Sequence, residues 1–98
     1  MEVEFGEEAL ATLESGELGD CGYSPGVAKA FRKRMQLIRT APDERDFYTA
    51  KSLHYEKLQG DRAHQHSMRL NKKERLILEY KGEGAGKIAI IIAIEDYH

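Results

Sequence analysis

The chain has one cysteine, Cys21, so it can form no disulfide within itself. Asp20 and Gly22 flank that cysteine and supply no cation to lower its pKa, which predicts a bystander rather than a reactive thiol. Long apolar runs are also missing. The longest, residues 88–94, falls well short of the roughly 20 residues that span a bilayer and reads as a buried strand, so no membrane association is expected. Basic residues are absent before Lys29: Glu2, Glu4, Glu7, Glu8, Glu14, Glu17 and Asp20 make every earlier charge acidic. A secretion signal combines a basic start with an apolar stretch, and MEVEFGEEAL has neither, which predicts a cytoplasmic protein. A length of 98 residues suits one hydrophobic core, so residues 1–98 are expected to form a single domain.

A net charge of -2 argues against a nucleic-acid-binding protein, because affinity for phosphate backbones comes largely from cations. The distribution of charge weakens that argument. Stretches 29–45 and 57–75 are both net positive, so a near-neutral total can hide a basic face opposite an acidic one.

Hydrophobic patterning gives an α+β chain. Val3 and Phe5 alternate with Glu2 and Glu4, as in a short strand with one buried face. Ala9, Leu10 and Leu13 have helical spacing within residues 7–13, with acids in the first turn where the helix dipole favours them. Residues 15–23, with three glycines, lack periodicity and read as a mobile connection. Ser24-Pro25 then opens the main helix, in which Val27, Phe31, Met35 and Ile38 share a stripe and Lys29, Arg32, Lys33 and Arg39 face outward. That helix is expected to end near residues 40–42. Residues 43–50 suggest a helical turn docking Phe47 and Tyr48 on the core. After a turn at Gly60-Asp61, residues 65–71 alternate, with Met68 and Leu70 on one face and Ser67 and Arg69 on the other. A polar hairpin at 71–73 leads to a strand with Leu76, Leu78 and Tyr80 buried and Arg75, Ile77 and Glu79 opposite. Gly82, Gly84 and Gly86 make a flexible turn into the last strand; they precede a strand rather than a helix, so they are no nucleotide-binding fingerprint. The order is strand, two helices, then a three-strand antiparallel meander.

Proton carriers and cations crowd the second half. Lys57, Arg62, Arg69, Lys72, Lys73 and Arg75 supply positive charge, and His54, His64, His66, Tyr97 and His98 can exchange protons, a set suited to work on a phosphodiester. By alternation Arg69 and Arg75 project from neighbouring strands onto one sheet face, where each can hold phosphate by a planar fork. His64 and His66 alternate with Gln65, have no cysteine or defined third ligand beside them, and read as exposed strand residues rather than a metal site.

The runs EKLQGDR at 56–62, SMRLN at 67–71, Arg75 and the terminal Asp96-Tyr97-His98 resemble the RelE/ParE superfamily of toxins from bacterial toxin-antitoxin systems, most closely its HigB-like branch. The resemblance implies a small twisted, mainly antiparallel sheet with two N-terminal helices on one face and the active surface on the other. It also implies cleavage of messenger RNA, in most branches on the ribosome, without metal or other cofactor. The partner it implies is a HigA-like helix-turn-helix antitoxin, giving a toxin-antitoxin hetero-oligomer. Such cleavage needs a base for the ribose 2'-OH, cations for the crowded phosphate and an acid for the leaving 5' oxygen.

On this resemblance Arg69 and Arg75 are the phosphate clamps. Lys57 contacts phosphate, Arg62 positions substrate or pairs with Asp61, and Lys72, Lys73 and His66 touch RNA. Asp96 orients an imidazole or acts as the base, and Tyr97 or His98 donates a proton or stacks on a nucleobase; alternation from Ile92 and Ile94 puts Asp96 and His98 on one face and Tyr97 on the other.

The chain departs from the pattern at three places. Glu56 and Gln59 stand where HigB-like chains carry His and Lys, while His54 and Lys57 lie two residues earlier in each case, a displacement of about 6 to 7 Å along an extended chain. Glu56 is therefore a candidate base itself. Glu74 replaces the aromatic residue common before Arg75. These departures keep two other readings open: a ParE-like inhibitor of DNA gyrase, and a toxin-like binding module without activity.

Overall fold

A computed structural model describes residues 1–96. Three helices and five strands follow one another as β1 (Glu2–Phe5), α1 (Glu8–Ser15), α2 (Pro25–Thr40), α3 (Arg45–Thr49), β2 (Glu56–Lys57), β3 (His66–Arg69), β4 (Glu74–Lys81) and β5 (Ile88–Asp96). The sheet order is β1-β5-β4-β3-β2. β1 runs parallel to β5 and every other neighbouring pair is antiparallel, so the expected meander is present with β1 added beside its last strand.

Local chemistry accounts for the main helix. The Ser24 side chain accepts from the Val27 amide at 3.3 Å and Pro25 occupies the first turn, where its missing N–H leaves no helical bond unmade. Val27, Ala28, Phe31, Met35 and Ile38 form its buried stripe. Together with Leu10 and Leu13 of α1 they meet Met68, Leu76, Leu78, Ala89 and Ile91 of the sheet in one core. At about 1.5–3 kcal/mol for each large side chain removed from water, this layer dominates stability.

Two glycines are held to their type by backbone geometry. Gly16 ends α1 in the left-handed conformation, φ 76°, with its amide donating to the Thr12 carbonyl. Gly82, φ 81°, opens the β4–β5 turn, and a side-chain carbon there would lie 2.9 Å from the Gly86 carbonyl oxygen.

Four features differ from the sequence reading. A two-residue edge strand, β2, extends the sheet to five strands, because Glu56 and Lys57 pair with Ser67 and His66. The connection after α1, expected to be mobile, is a series of turns tied down by Arg32. Its guanidinium reaches the carbonyls of Leu13 at 2.9 Å and Gly19 at 2.8 Å and pairs with Asp20 at 3.2 Å. Of the two rings in the 43–50 segment only Phe47 is buried; Tyr48 is 54% exposed and packs edge-on against Tyr55. Finally, Ile77 is fully buried although it points away from the helices. Arg62 and Gln65 reach over that face to Glu95 and Glu79, so the chain between β2 and β3 covers it locally.

Candidate active site

The open face of the sheet is organised by strand register. Met68 and Leu70 enter the helix-side core, which turns Arg69 to the opposite face, and Leu76 does the same for Arg75. Arg69 of β3 lies directly opposite Arg75 of β4, which lies opposite Glu95 of β5. The adjoining row on the same face is Glu56, Ser67, Ile77 and Ala93. Two like charges set directly across a strand pair repel, so the juxtaposition of the two arginines does not by itself favour the fold.

The two arginines have different surroundings. Arg75 points Nη2 toward Glu95 Oε1 at 3.8 Å, while Arg62 binds the other carboxylate oxygen at 2.9 Å. Arg62 is itself steadied by Gln65 at 2.8 Å, and Gln65 donates onward to Glu79 at 2.9 Å. Arg69 has no carboxylate within ion-pair distance among the described residues. Its Nε donates to the Asn71 carbonyl at 3.1 Å and its Nη1 lies 3.2 Å from His54 Nε2. A guanidinium has only donors, so as a hydrogen bond this contact uses His54 Nε2 as the acceptor.

Beside Arg69 an open concavity of about 320 Å³ is lined by His54, Glu56, Arg69 and Lys72. The two-residue offset of His54 therefore does not remove it from this face. His54 is not extended; it adopts the left-handed conformation at φ 47° after the short turn 51–53, and the bend returns the imidazole to Arg69. Lys72 is presented by a tight hairpin in which Asn71 Oδ1 accepts from the amides of Lys73 and Glu74, both at 2.8 Å.

Other nominated residues fall elsewhere. Lys57 pairs with His66 in register and so projects to the other side of β2 from Glu56. Lys73 is exposed on the hairpin beside Lys72, and Arg62 is bound to Glu95 rather than to Asp61. Asp96 pairs with Glu74 and shares the face of Ile94, opposite the arginines. Tyr97 and His98 lie outside the described residues. Glu95 was passed over in the sequence reading; its parity separates it from half-buried Ile94, and the register of β5 with β4 sets it opposite Arg75.

His66 is a correction. It is half-buried on the helix side, stacked on Tyr55 with ring centres 5.3 Å apart and 10° between planes, and Tyr80 meets it edge-on. Its ring is therefore partly covered, not exposed as the sequence reading expects. The Tyr55 hydroxyl is 2.6 Å from that of Tyr80 and 3.2 Å from Glu44, which also pairs with Lys87. Burial raises the pKa of both tyrosines. Burial also lowers the His66 pKa below its ordinary 6.5, the Glu44 charge opposing the shift and Lys57 and Lys87 adding to it.

A His whose folded pKa lies below its unfolded value binds its proton more readily when unfolded. Its neutral form therefore contributes full stability above about pH 6.5, and that contribution declines as pH falls through and below this value. Urea titrations between about pH 7.5 and 5 should show stability falling with acid in the wild type. The His66→Phe variant should give a flatter profile, and an unchanged slope would remove His66 as the cause.

No known family pattern matches the sequence, and no curated protein matches it significantly. Among solved structures, the YoeB/ParE toxin from Agrobacterium tumefaciens aligns over 100% of this chain and 100% of its own, with a TM-score of 0.62 and 19% sequence identity. The chain thus has the α+β fold of that toxin.

Proposed function

We propose that this chain is the toxin of a type II toxin-antitoxin system, an endoribonuclease that cuts messenger RNA on the ribosome. The observation that supports this most is the cross-strand pair Arg69 and Arg75 on the open sheet face, bordering a concavity that also holds His54 and Glu56. The likeness of fold to a bacterial toxin and the sequence resemblance to HigB-like chains support the same reading.

In this reaction the ribose 2'-oxygen attacks the neighbouring phosphorus, the bond from phosphorus to the 5' oxygen breaks, and a 2',3'-cyclic phosphate and a 5'-hydroxyl form. Glu56 or His54 takes the 2'-OH proton. Arg69, drawn from His54 to the phosphate, frees Nε2 for that role, and Arg75 adds charge opposite it. An acid from the chain end, Tyr97 or His98, protonates the leaving oxygen. Asp96, on the other face, acts through the conformation of that end rather than on phosphate. The resemblance implies that no metal or other cofactor takes part. A HigA-like helix-turn-helix antitoxin would cover the toxin in a hetero-oligomer, and the setting would be cytoplasmic.

The second reading is a ParE-like inhibitor of DNA gyrase, which likeness of fold to a YoeB/ParE toxin supports as well. Inducing the chain in growing cells while mapping messenger 5' ends, beside a gyrase supercoiling assay, separates the two. New 5' ends with normal supercoiling are expected. Inhibited supercoiling without new ends would transfer the assignment to gyrase, and neither effect would leave a toxin-like binding module.

A further inference from the structure

A second concavity, also of about 320 Å³, lies on the other side of the strand that carries Arg69. Gly26, Lys29, Ala30, Lys33, Arg34 and Leu70 line it, three cations and no acid. The two concavities share a wall. The Arg69 side chain lines the first, the next residue, Leu70, lines the second, and Arg34 in the second donates from Nε to the Arg69 carbonyl at 3.0 Å.

Charge is segregated around this wall. Most other basic side chains are neutralised, Arg32 by Asp20, Arg39 by Glu14, Lys81 by Glu4 and Lys87 by Glu44. Lys29, Lys33, Arg34, Arg69, Lys72 and Lys73 make no ion pair among the described residues. Yet the chain has 17 acids to 15 lysines and arginines, so acids are not scarce. An uncompensated cluster of this kind repels itself and attracts a polyanion. Burial lowers the pKa of Arg34 as well, a desolvation that an anion in the groove would offset.

We propose that the groove between α2 and the β3–β4 hairpin binds backbone phosphates of the same RNA strand whose scissile phosphate sits at Arg69. The strand passes from the first concavity over Lys72 into the second. This rests on the nuclease reading and deepens it by giving the substrate a footprint several nucleotides long. Continuity through Arg69 and Lys72 favours one strand over an unrelated acidic protein. The small residues Gly26 and Ala30 with Leu70 leave an apolar floor for sugars between the lysines.

The test uses the full chain with uncleavable 2'-O-methyl RNA, a trinucleotide that reaches only the first concavity and a decanucleotide that spans both. The variants are Arg69→Ala and the pair Lys29→Gln with Lys33→Gln, whose side chains lie on the outer face of α2; circular dichroism melts check that each folds. The lysine pair should weaken decanucleotide binding several-fold and reduce the slope of log affinity against log salt by about 1.4, or about 0.7 for each lost single-strand phosphate contact. Trinucleotide binding should stay the same, and Arg69→Ala should weaken both ligands.

Decanucleotide binding that ignores the lysine pair overturns the proposal, while a loss with Arg69→Ala in the same experiment keeps the nuclease reading. Equal loss of trinucleotide binding overturns the division into two concavities. With an oligoglutamate peptide as a third ligand, a loss of peptide binding in the lysine pair that leaves the decanucleotide unaffected reassigns the groove to an acidic protein partner. A folded wild type that binds neither RNA overturns the proposal, while the nuclease reading beneath it is decided separately by cleavage on a programmed ribosome.

Discussion

Arg69→Ala is expected to slow messenger cleavage by about 100- to 1000-fold, roughly 2.7–4 kcal/mol, the usual loss when one preorganised donor to a developing negative charge is removed. The same substitution should leave stability unchanged or raise it by a few tenths of a kcal/mol, because it relieves repulsion between directly opposed arginines. Arg69 has no acid to compensate that repulsion among the described residues; its contacts are a carbonyl and the His54 ring. A strand arginine with a structural role would show the opposite signature, lower stability with cleavage retained. Single-turnover cleavage of a programmed ribosome and urea unfolding of the same preparation measure both quantities. Arg75→Ala should also reduce cleavage. Its stability effect should be less favourable than that of Arg69→Ala, because it removes one of the two guanidiniums around Glu95.

The largest effect on folding is expected from Phe31→Ala. Phe31 is fully buried in the centre of the α2 stripe, where the helix layer meets the sheet. Truncating a buried phenylalanine costs about 3–5 kcal/mol through lost transfer energy and the cavity left behind. Against a total of about 5–15 kcal/mol for small domains, that leaves a marginal or unfolded protein at 37 °C. Thermal unfolding by circular dichroism should show a large fall in midpoint or no cooperative transition. Retention of the wild-type midpoint would mean that the core around α2 carries much less of the stability than its burial indicates.

Alternation in β3 and β4 was readable because the side-chain period of two admits only two assignments, and Met68, Leu70, Leu76 and Leu78 are apolar enough to choose between them. Once those residues face the helices, Arg69 and Arg75 must face the other way. The helical stripe of α2 and its Ser24-Pro25 start were legible for a similar reason, since both depend on neighbours only a few residues apart. His54 and His66 were less legible. The two-residue shift of His54 seemed to separate it from the site only if the chain was extended, and a left-handed residue cancels that assumption. His66 shares the parity of Met68 and Leu70, which already set it on their face, but the partners that cover its ring, Tyr55 and Tyr80, come from segments 11 or more positions away. Asp96 follows the parity of Ile94, so its face was readable, whereas the side on which the arginines would stand relative to it depended on how β5 paired with β4.

Short-range periodicity was enough to read the α+β class, the order of the main elements, the core stripe of α2 and the shared face of the two arginines. That β1 joins β5 in parallel, that Glu95 completes the arginine row and that His54 rather than Lys57 meets Arg69 emerged with the folded chain. The difference is one of range: a period of two or 3.6 residues records which way a side chain points, but the partner it meets is set by strand register and chain reversals between residues far apart in sequence.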